Sequence, residues 1–112
     1  MTNTNSERIE NIVLELRRGI IILAVLSQLS EEQYGYSLLK SLTELGLEID
    51  QGTLYPLLRR LEAQGLLQSS WRVESDRPRR YYVISPAGRE TFAQLKTEWK
   101  DLVTMIDGML EK

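Results

Sequence analysis

Neither cysteine nor histidine occurs in these 112 residues. The lack of cysteine excludes disulfides and thiolate metal sites. With histidine also missing, the usual zinc ligand sets, Cys–His catalysis and Ser–His triads are ruled out. No metal and no other cofactor is expected. Aspartate and glutamate are plentiful but sit at helix-surface spacing and suggest no concave site, so no enzyme is expected. No long hydrophobic run exists. The longest, Ile20 to Leu26, is far short of the roughly 20 residues that span a bilayer. The polar start, Met1 to Ser6, lacks the basic and apolar regions of a signal peptide. A cytoplasmic protein with no membrane partner is expected.

A chain of this length builds one modest core, burying about 65% of its unfolded surface, so oligomerisation would help it. The net charge of -2 argues against a general polycation. Its distribution is uneven. Residues 51–89 hold seven arginines against Glu62, Glu74 and Asp76, a balance of +4, which leaves -6 for the remainder. A mildly acidic chain with one basic patch suits a specific nucleic-acid binder.

The first helix is predicted from Ser6, its cap, to about Leu29. Ile9, Ile12, Val13, Leu16, Ile20 and Leu23 recur at helical spacing. From Gly19 to Leu26 every face is apolar, the mark of a helix buried all round. One small domain rarely offers two burial surfaces, so either a central core position or a partner chain accounts for it. Ser30 to Gln33 reads as a turn. A second helix is predicted over Tyr34–Glu44, with Leu38, Leu39, Leu42 and Leu45 inward and Gly46 just past its end. Leu47-Glu48-Ile49 alternates like a small edge strand.

Asp50 or Thr53 caps the third predicted helix. At about 100° per residue, Leu54, Leu57, Leu58 and Leu61 share one face. Gly52, Pro56, Arg59 and Ala63 share the other, with Thr53, Tyr55 and Arg60 on the flanks. Pro56 lacks an N–H and is tolerated if the helix starts near Thr53, where the first amides have no partner. Taken alone, this is also the pattern of an ordinary helix with a solvated arginine face.

Two alternating segments follow. In Gln68–Val73, Ser69, Trp71 and Val73 share a side with Leu67; in Arg79–Ile84, Tyr81 and Val83 oppose Tyr82 and Ile84. Glu74 to Pro78 joins them, which predicts a hairpin with a loop longer than the tight two-residue turns. Arg72, Arg77, Arg79 and Arg80 line it. Ser85 and Pro86 then open a last helix as cap and first position, running to about Leu110. Phe92, Leu95, Trp99, Leu102, Ile106 and Met109 form a heptad seam along it. Two heptads are too few for a free coiled coil, so this helix lies against another surface, either its own domain or a partner's first helix. A helix feeding a short basic hairpin is the layout of a winged helix-turn-helix. The expected fold is mainly α with a small β hairpin: a winged helix-turn-helix DNA-binding domain over 1–88, its first helix shared with a dimer interface, and a C-terminal dimerisation helix over 89–112.

With those motifs in place, the chain resembles the PadR family of bacterial transcriptional regulators, of the short type with one C-terminal helix. Leu16-Arg17-Arg18-Gly19 and the apolar run to Leu26 resemble the family's first helix. Tyr34-Gly35-Tyr36 resembles the opening of its second. Gly52-Thr53-Leu54-Tyr55-Pro56-Leu57-Leu58-Arg59-Arg60-Leu61-Glu62 with Gly65-Leu66 is similar to its recognition-helix motif. Arg79-Arg80-Tyr81-Tyr82 and Ser85 to Arg89 resemble its second wing strand and the entry to the last helix. Tyr34 stands where histidine is frequent, and Pro78 sits in a wing usually richer in glycine. The resemblance implies a homodimer, each last helix packing on the partner's first. It implies a palindromic double-stranded DNA operator, usually repressed. It also implies, for some members, an interfacial pocket for planar aromatic effectors lined by a tryptophan to which Trp99 corresponds.

The DNA-binding residues expected are Tyr36, Thr53, Tyr55, Pro56, Arg59, Arg72, Arg77, Arg79 and Arg80. The dimer interface is expected at Ile12, Leu16, Phe92, Leu95, Trp99, Leu102, Ile106 and Met109, with Trp99 and Leu95 as effector contacts or simply interface core. Two other readings stay open: a winged-helix adaptor that binds protein, and a small-molecule sensor whose ligand sits at the dimer interface. A histidine-free chain lacks the side chain that ordinarily titrates near neutrality. DNA affinity at fixed salt should therefore vary less than about tenfold between about pH 6 and 7.5, measured by titration of a labelled duplex.

Overall fold

The predicted first helix breaks at Gly19. The computed structural model, which describes residues 4–111, has α1 over Thr4–Arg18 and α2 over Ile21–Ser27. Glycine costs about 1 kcal/mol in a helix interior relative to alanine, and here the chain turns, with the Ile20 amide bonded to the Arg17 carbonyl at 3.1 Å. α1 is already helical at Thr4, so Ser6 stands inside the helix and does not cap it. Met1 to Asn3 lie outside the described residues. The break falls at the start of the apolar run, so Ile21 to Leu26 all belong to α2. α2 sinks Val25 and Leu26 into the core, whereas no residue of α1 is buried.

β1 (Gln33–Tyr34), α3 (Gly35–Glu44), α4 (Gln51–Ala63), β2 (Leu67–Glu74), β3 (Arg77–Ile84) and α5 (Pro86–Leu110) follow. The third predicted helix is therefore α4. Val25, Leu26 and Leu29 meet Leu38 and Leu42 of α3, the four leucines of α4, and Leu67, Tyr82 and Ile84 of the sheet. Leu45 was expected inside but is 68% exposed. α3 ends before it, and the left-handed Gly46 reverses the chain so that the Leu47 amide reaches the Leu42 carbonyl at 2.9 Å. α4 ends the same way, the Leu66 amide reaching the Leu61 carbonyl past left-handed Gly65.

The sheet also differs from expectation. Its strand order is β1-β3-β2, all antiparallel. Leu47–Ile49 is not a strand; Leu47 and Ile49 pack instead against the leucine core. The sheet edge is taken by Gln33–Tyr34, which pairs with Tyr82 and Tyr81. Two residues are too few to show a period in sequence. The wing turn is shorter than predicted. Glu74 faces Arg77 directly, and Ser75 and Asp76 between them have φ of 50° and 67°. Positive φ at both positions belongs to the tight turn whose twist matches that of the flanking strands. Pro78 faces Val73, one step further along. In an antiparallel ladder this pair is the non-hydrogen-bonded one. β1 does not extend that far, so the missing N–H of Pro78 costs the sheet nothing.

Ser85 joins three element ends. Its hydroxyl accepts from the Gly88 amide at 2.9 Å and donates to the Gly65 carbonyl at 2.6 Å, while its amide reaches the Leu66 carbonyl at 3.0 Å. This knot launches α5 as expected, with Pro86 in its first turn. Phe92 and Leu95 pack against the core. Beyond them Trp99, Leu102, Ile106 and Met109 are exposed on the single chain, as are Ile12 and Leu16 of α1. A shallow groove of about 390 Å³ lies between α2 and α5, lined by Ile20, Leu23, Ala24, Ser27, Phe92, Lys96 and Trp99. Among the described residues no helix is long and apolar enough to cross a membrane.

Gly88 is buried, and a Cβ there would collide with the Leu66 carbonyl oxygen and approach Ile84 Cγ1 to 2.8 Å. Backbone cannot step aside as a side chain can. Gly88→Ala should therefore destabilise the fold by about 1–3 kcal/mol in urea unfolding at fixed protein concentration, although alanine is the better helix former.

Candidate nucleic-acid interface

α4 presents two surfaces. Leu54, Leu57, Leu58 and Leu61 are buried, while Gly52, Thr53, Pro56, Arg59 and Arg60 are exposed. Asp50 is the cap: its carboxylate accepts from the Thr53 amide at 2.8 Å. A carboxylate there satisfies a free amide and complements the helix dipole. The helix starts at Gln51, two residues before the start that would excuse Pro56. Pro56 is thus internal, and the Gly52 carbonyl can accept no helical bond from it. That carbonyl stands on the exposed face, near the helix N-terminus.

Tyr55 is half-buried. Its ring lies against the start of α3, where a Cβ on Gly35 would come within 2.7 Å of Tyr55 Cε1. Glycine at that position lets α4 approach the N-terminus of α3, so Tyr55 shares its surface between packing and solvent. Tyr36, one residue on, is exposed.

The hairpin has two faces, set by its register. Ser69, Trp71 and Val73 oppose Tyr82, Arg80 and Pro78 on the side that faces α4; Ser70, Arg72 and Glu74 oppose Tyr81, Arg79 and Arg77 on the outer side. Arg80 turns back toward α4. Its guanidinium donates to Glu62 Oε1 at 2.6 Å and to Ser69 Oγ at 3.0 Å, and Ser69 Oγ donates to Glu62 Oε2 at 2.6 Å. All three side chains are partly buried. Arg80 also lies 5.4 Å from the ring centre of Tyr82 and 5.7 Å from that of Trp71. Burial pushes the Tyr82 hydroxyl pKa up, a rise that the Arg80 charge opposes.

On the outer side, two like charges face each other at Arg72 and Arg79. Each is offset locally. Arg72 pairs with Glu32 and stacks 4.5 Å over Tyr81. Arg79 pairs with Glu74 at 3.5 Å and stacks 4.4 Å over Tyr34. The two tyrosine rings meet edge-on at 5.5 Å. The Tyr81 hydroxyl donates to Glu74 at 2.7 Å, which raises its pKa by favouring the protonated phenol. Among the described residues, Arg59, Arg60 and Arg77 have neither an ion pair nor a side-chain hydrogen bond.

A cleft of about 670 Å³ opens between the start of α3, α4 and the wing. Of the nine residues expected from sequence to bind DNA, Tyr36, Tyr55, Arg59, Arg77, Arg79 and Arg80 line it. Thr53 and Pro56 are exposed on the adjoining face of α4, and Arg72 lies outside it on the outer face of the wing. Sequence reasoning missed the role of Glu62 and Ser69 as the anchor of Arg80. It also missed Trp71, which lines the cleft. The inward alternation of Ser69, Trp71 and Val73 was the available signal. Among the described residues no cluster of His, Cys, Asp or Glu could hold a metal ion.

The Glu62–Arg80 pair is testable as a unit. Glu62→Ala should cost about 1–3 kcal/mol, because it strands a partly buried guanidinium. A double-mutant cycle with Arg80→Ala should show a coupling of about 0.5–3 kcal/mol. Additive losses would mean that the pair carries no energy of its own.

Comparison with known proteins gives a consistent picture. The family model described as "Transcriptional regulator PadR-like family" matches residues 22–94. The chain is 37% identical over 95 residues to the transcriptional regulator Rv3488 of Mycobacterium tuberculosis, covering 84% of this chain and 89% of that one. It superposes on the crystal structure of a PadR family transcriptional regulator from Eggerthella lenta with a TM-score of 0.93, at 42% identity and 97% coverage of both chains. A PadR-like regulator from Bacillus cereus gives a TM-score of 0.76 at 29% identity, over 88% of this chain and 98% of that one. On the winged helix-turn-helix geometry, the family match and these likenesses, the chain belongs to the PadR-like family of transcriptional regulators.

Proposed function

We propose that this DNA-binding regulator is a cytoplasmic homodimer that represses transcription from a palindromic operator. The observation that carries the reading is the convergence of Arg59 of α4 and Arg77 of the wing, both free of carboxylate partners, on one cleft beside the exposed face of α4. Thr53, Tyr55, Pro56 and Arg59 meet base edges in the major groove. Arginine bonds guanine bidentately, and the proline ring suits a thymine methyl. Arg72, Arg77, Arg79 and Arg80, with Tyr36, meet phosphates. Arg77 does so directly, whereas Arg72 and Arg79 exchange Glu32 and Glu74 for phosphate. Arg80 stays partly committed to Glu62, so it also orients the wing.

In the dimer, Ile12 and Leu16 of one protomer cover Phe92, Leu95, Trp99, Leu102, Ile106 and Met109 of the other. The two α4 helices then stand about 34 Å apart, one turn of DNA. A planar aromatic effector enters beside Trp99, whose indole lines the groove between α2 and α5; Leu95 supports it from the core side. The adaptor reading is not favoured, because the exposed face of α4 carries two arginines rather than an apolar surface.

Light scattering after size exclusion should give twice the 13.0 kDa chain mass; a monomer at about 10 µM would remove the half-site arrangement, since standard interfaces bind far tighter than that. Affinity for duplex DNA should fall by orders of magnitude between about 50 and 200 mM salt, as roughly six to eight phosphates per dimer are neutralised. Arg77→Ala should flatten the salt slope. Arg59→Ala should relax sequence preference at a cost of about 1–3 kcal/mol. The same effect from both would contradict the division between wing and recognition helix.

A further inference from the structure

The α4-facing side of the wing carries an apolar strip that the core does not use. Leu67, Tyr82 and Ile84, at its base, are buried. Further out the same face continues with Trp71, Val73 and Pro78, all exposed, Trp71 at 65% and Val73 at 77%. A strand face beyond the reach of its packing helix is ordinarily polar. Here it holds the largest side chain available and a β-branched one.

Trp71 is also held in place. The Arg80 guanidinium sits 5.7 Å from its ring centre, and Arg80 is tied to Glu62 and Ser69. The indole is therefore oriented by a network rooted in α4 while most of its surface stays open. Trp71 and Pro78 line the same cleft as the unpaired Arg59 and Arg77. An occupant must match both features: anionic opposite the arginines, and apolar opposite the indole. The backbone of a DNA duplex has this composition, with phosphates alternating with deoxyribose rings.

We infer that Trp71, extended by Val73 and Pro78, is a DNA-contact surface of the wing that packs on deoxyribose at the edge of the groove receiving α4. This inference rests on the DNA-binding reading above. Sugar contact carries no charge, so it adds an affinity component that salt does not screen. The indole Nε1–H can donate to the adjacent phosphate. Both contacts are blind to base identity, so they operate on any duplex.

The probe is a fluorescein-labelled duplex of mixed sequence, followed by anisotropy with the full chain from about 50 to 200 mM salt. Trp71→Ala should raise Kd roughly tenfold at every salt concentration, leaving the slope of log K against log salt unchanged, because the lost contact is apolar burial without charge. Arg77→Ala should instead lower the slope, by about one per arginine removed. In Trp99→Phe, Trp71 is the sole indole, and its emission should be quenched by unlabelled duplex in step with the anisotropy. This second measurement needs no change at Trp71. Unaltered emission on saturation with DNA, or a Trp71→Ala protein that binds as the parent does, would overturn the inference and leave the DNA-binding reading intact. A changed slope in Trp71→Ala would also overturn it, since the loss would then be of arginine charge on phosphate rather than of the neutral indole. No anisotropy change for the parent chain at any salt would remove the DNA-binding reading itself.

Discussion

Glu62 makes one body of the recognition helix and the wing. It sits one residue past Leu61, the last core leucine of α4, so its carboxylate leaves the buried face where β2 and β3 pass. There it accepts from Ser69 and Arg80 at once. Partly buried charge-assisted bonds of this kind are stronger than neutral ones and narrower in geometry. β1 and the Arg72–Glu32 pair brace the hairpin from its outer side; these bonds brace it from the side of α4. With them, the angle between α4 and the wing is set from the middle of the hairpin. The cleft owes its shape to that angle, and so does the placement of Trp71 beside Arg59.

The same carboxylates explain how a chain of net charge -2 keeps a basic surface. Within the arginine-rich segment Glu62 and Glu74 are spent on Arg80 and Arg79, and Glu32 is drawn in from the turn before β1 to Arg72. These pairs lie at the outer and inner walls of the wing. The arginines left without partners, Arg59, Arg60 and Arg77, are on α4 and at the wing tip. Exposed pairs such as Arg79–Glu74 contribute little to stability. Their consequence is in placement: the paired guanidinium groups of Arg79 and Arg72 lie over the Tyr34 and Tyr81 rings, so less side-chain ordering would remain for the phosphate contacts proposed above.

Much of this was legible in residue order because the signals were local and periodic. The leucines of α4 at 54, 57, 58 and 61 implied the arginine face opposite them. Ser85-Pro86 announced α5 to the residue, and six of the expected DNA-binding residues line one cleft. The misreadings concern non-local or very short features. A two-residue strand such as Gln33–Tyr34 has no period, and only β3 makes it a strand. The length of the wing loop was misjudged because Ser75 and Asp76 adopt positive φ, which neither residue type announces as glycine would. The break at Gly19 was hidden because Leu16, Ile20 and Leu23 keep helical spacing across it. The Glu62 partner of Arg80 was not legible either, because it lies 18 positions away.

α1 sets the limit of what one chain can specify. Its 15 residues bury nothing within the protomer, and Ile9, Ile12, Leu14 and Leu16 are all exposed. An isolated helix of that length is marginal in water. Its amphipathic pattern is therefore a demand for a surface, and the exposed seam of α5 from Trp99 to Met109 makes the same demand. Within a protomer neither pattern is covered, while α5 packs on the core through Phe92 and Leu95. The dimer proposed above would satisfy both at once. In that dimer, folding of α1 and the spacing of two recognition helices would be one event: the contacts that stabilise α1 would also fix the distance between the clefts. On the same proposal, a ligand wedged beside Trp99 would act on the junction between them, a physical route from a small molecule to the geometry of DNA binding that need not touch the cleft.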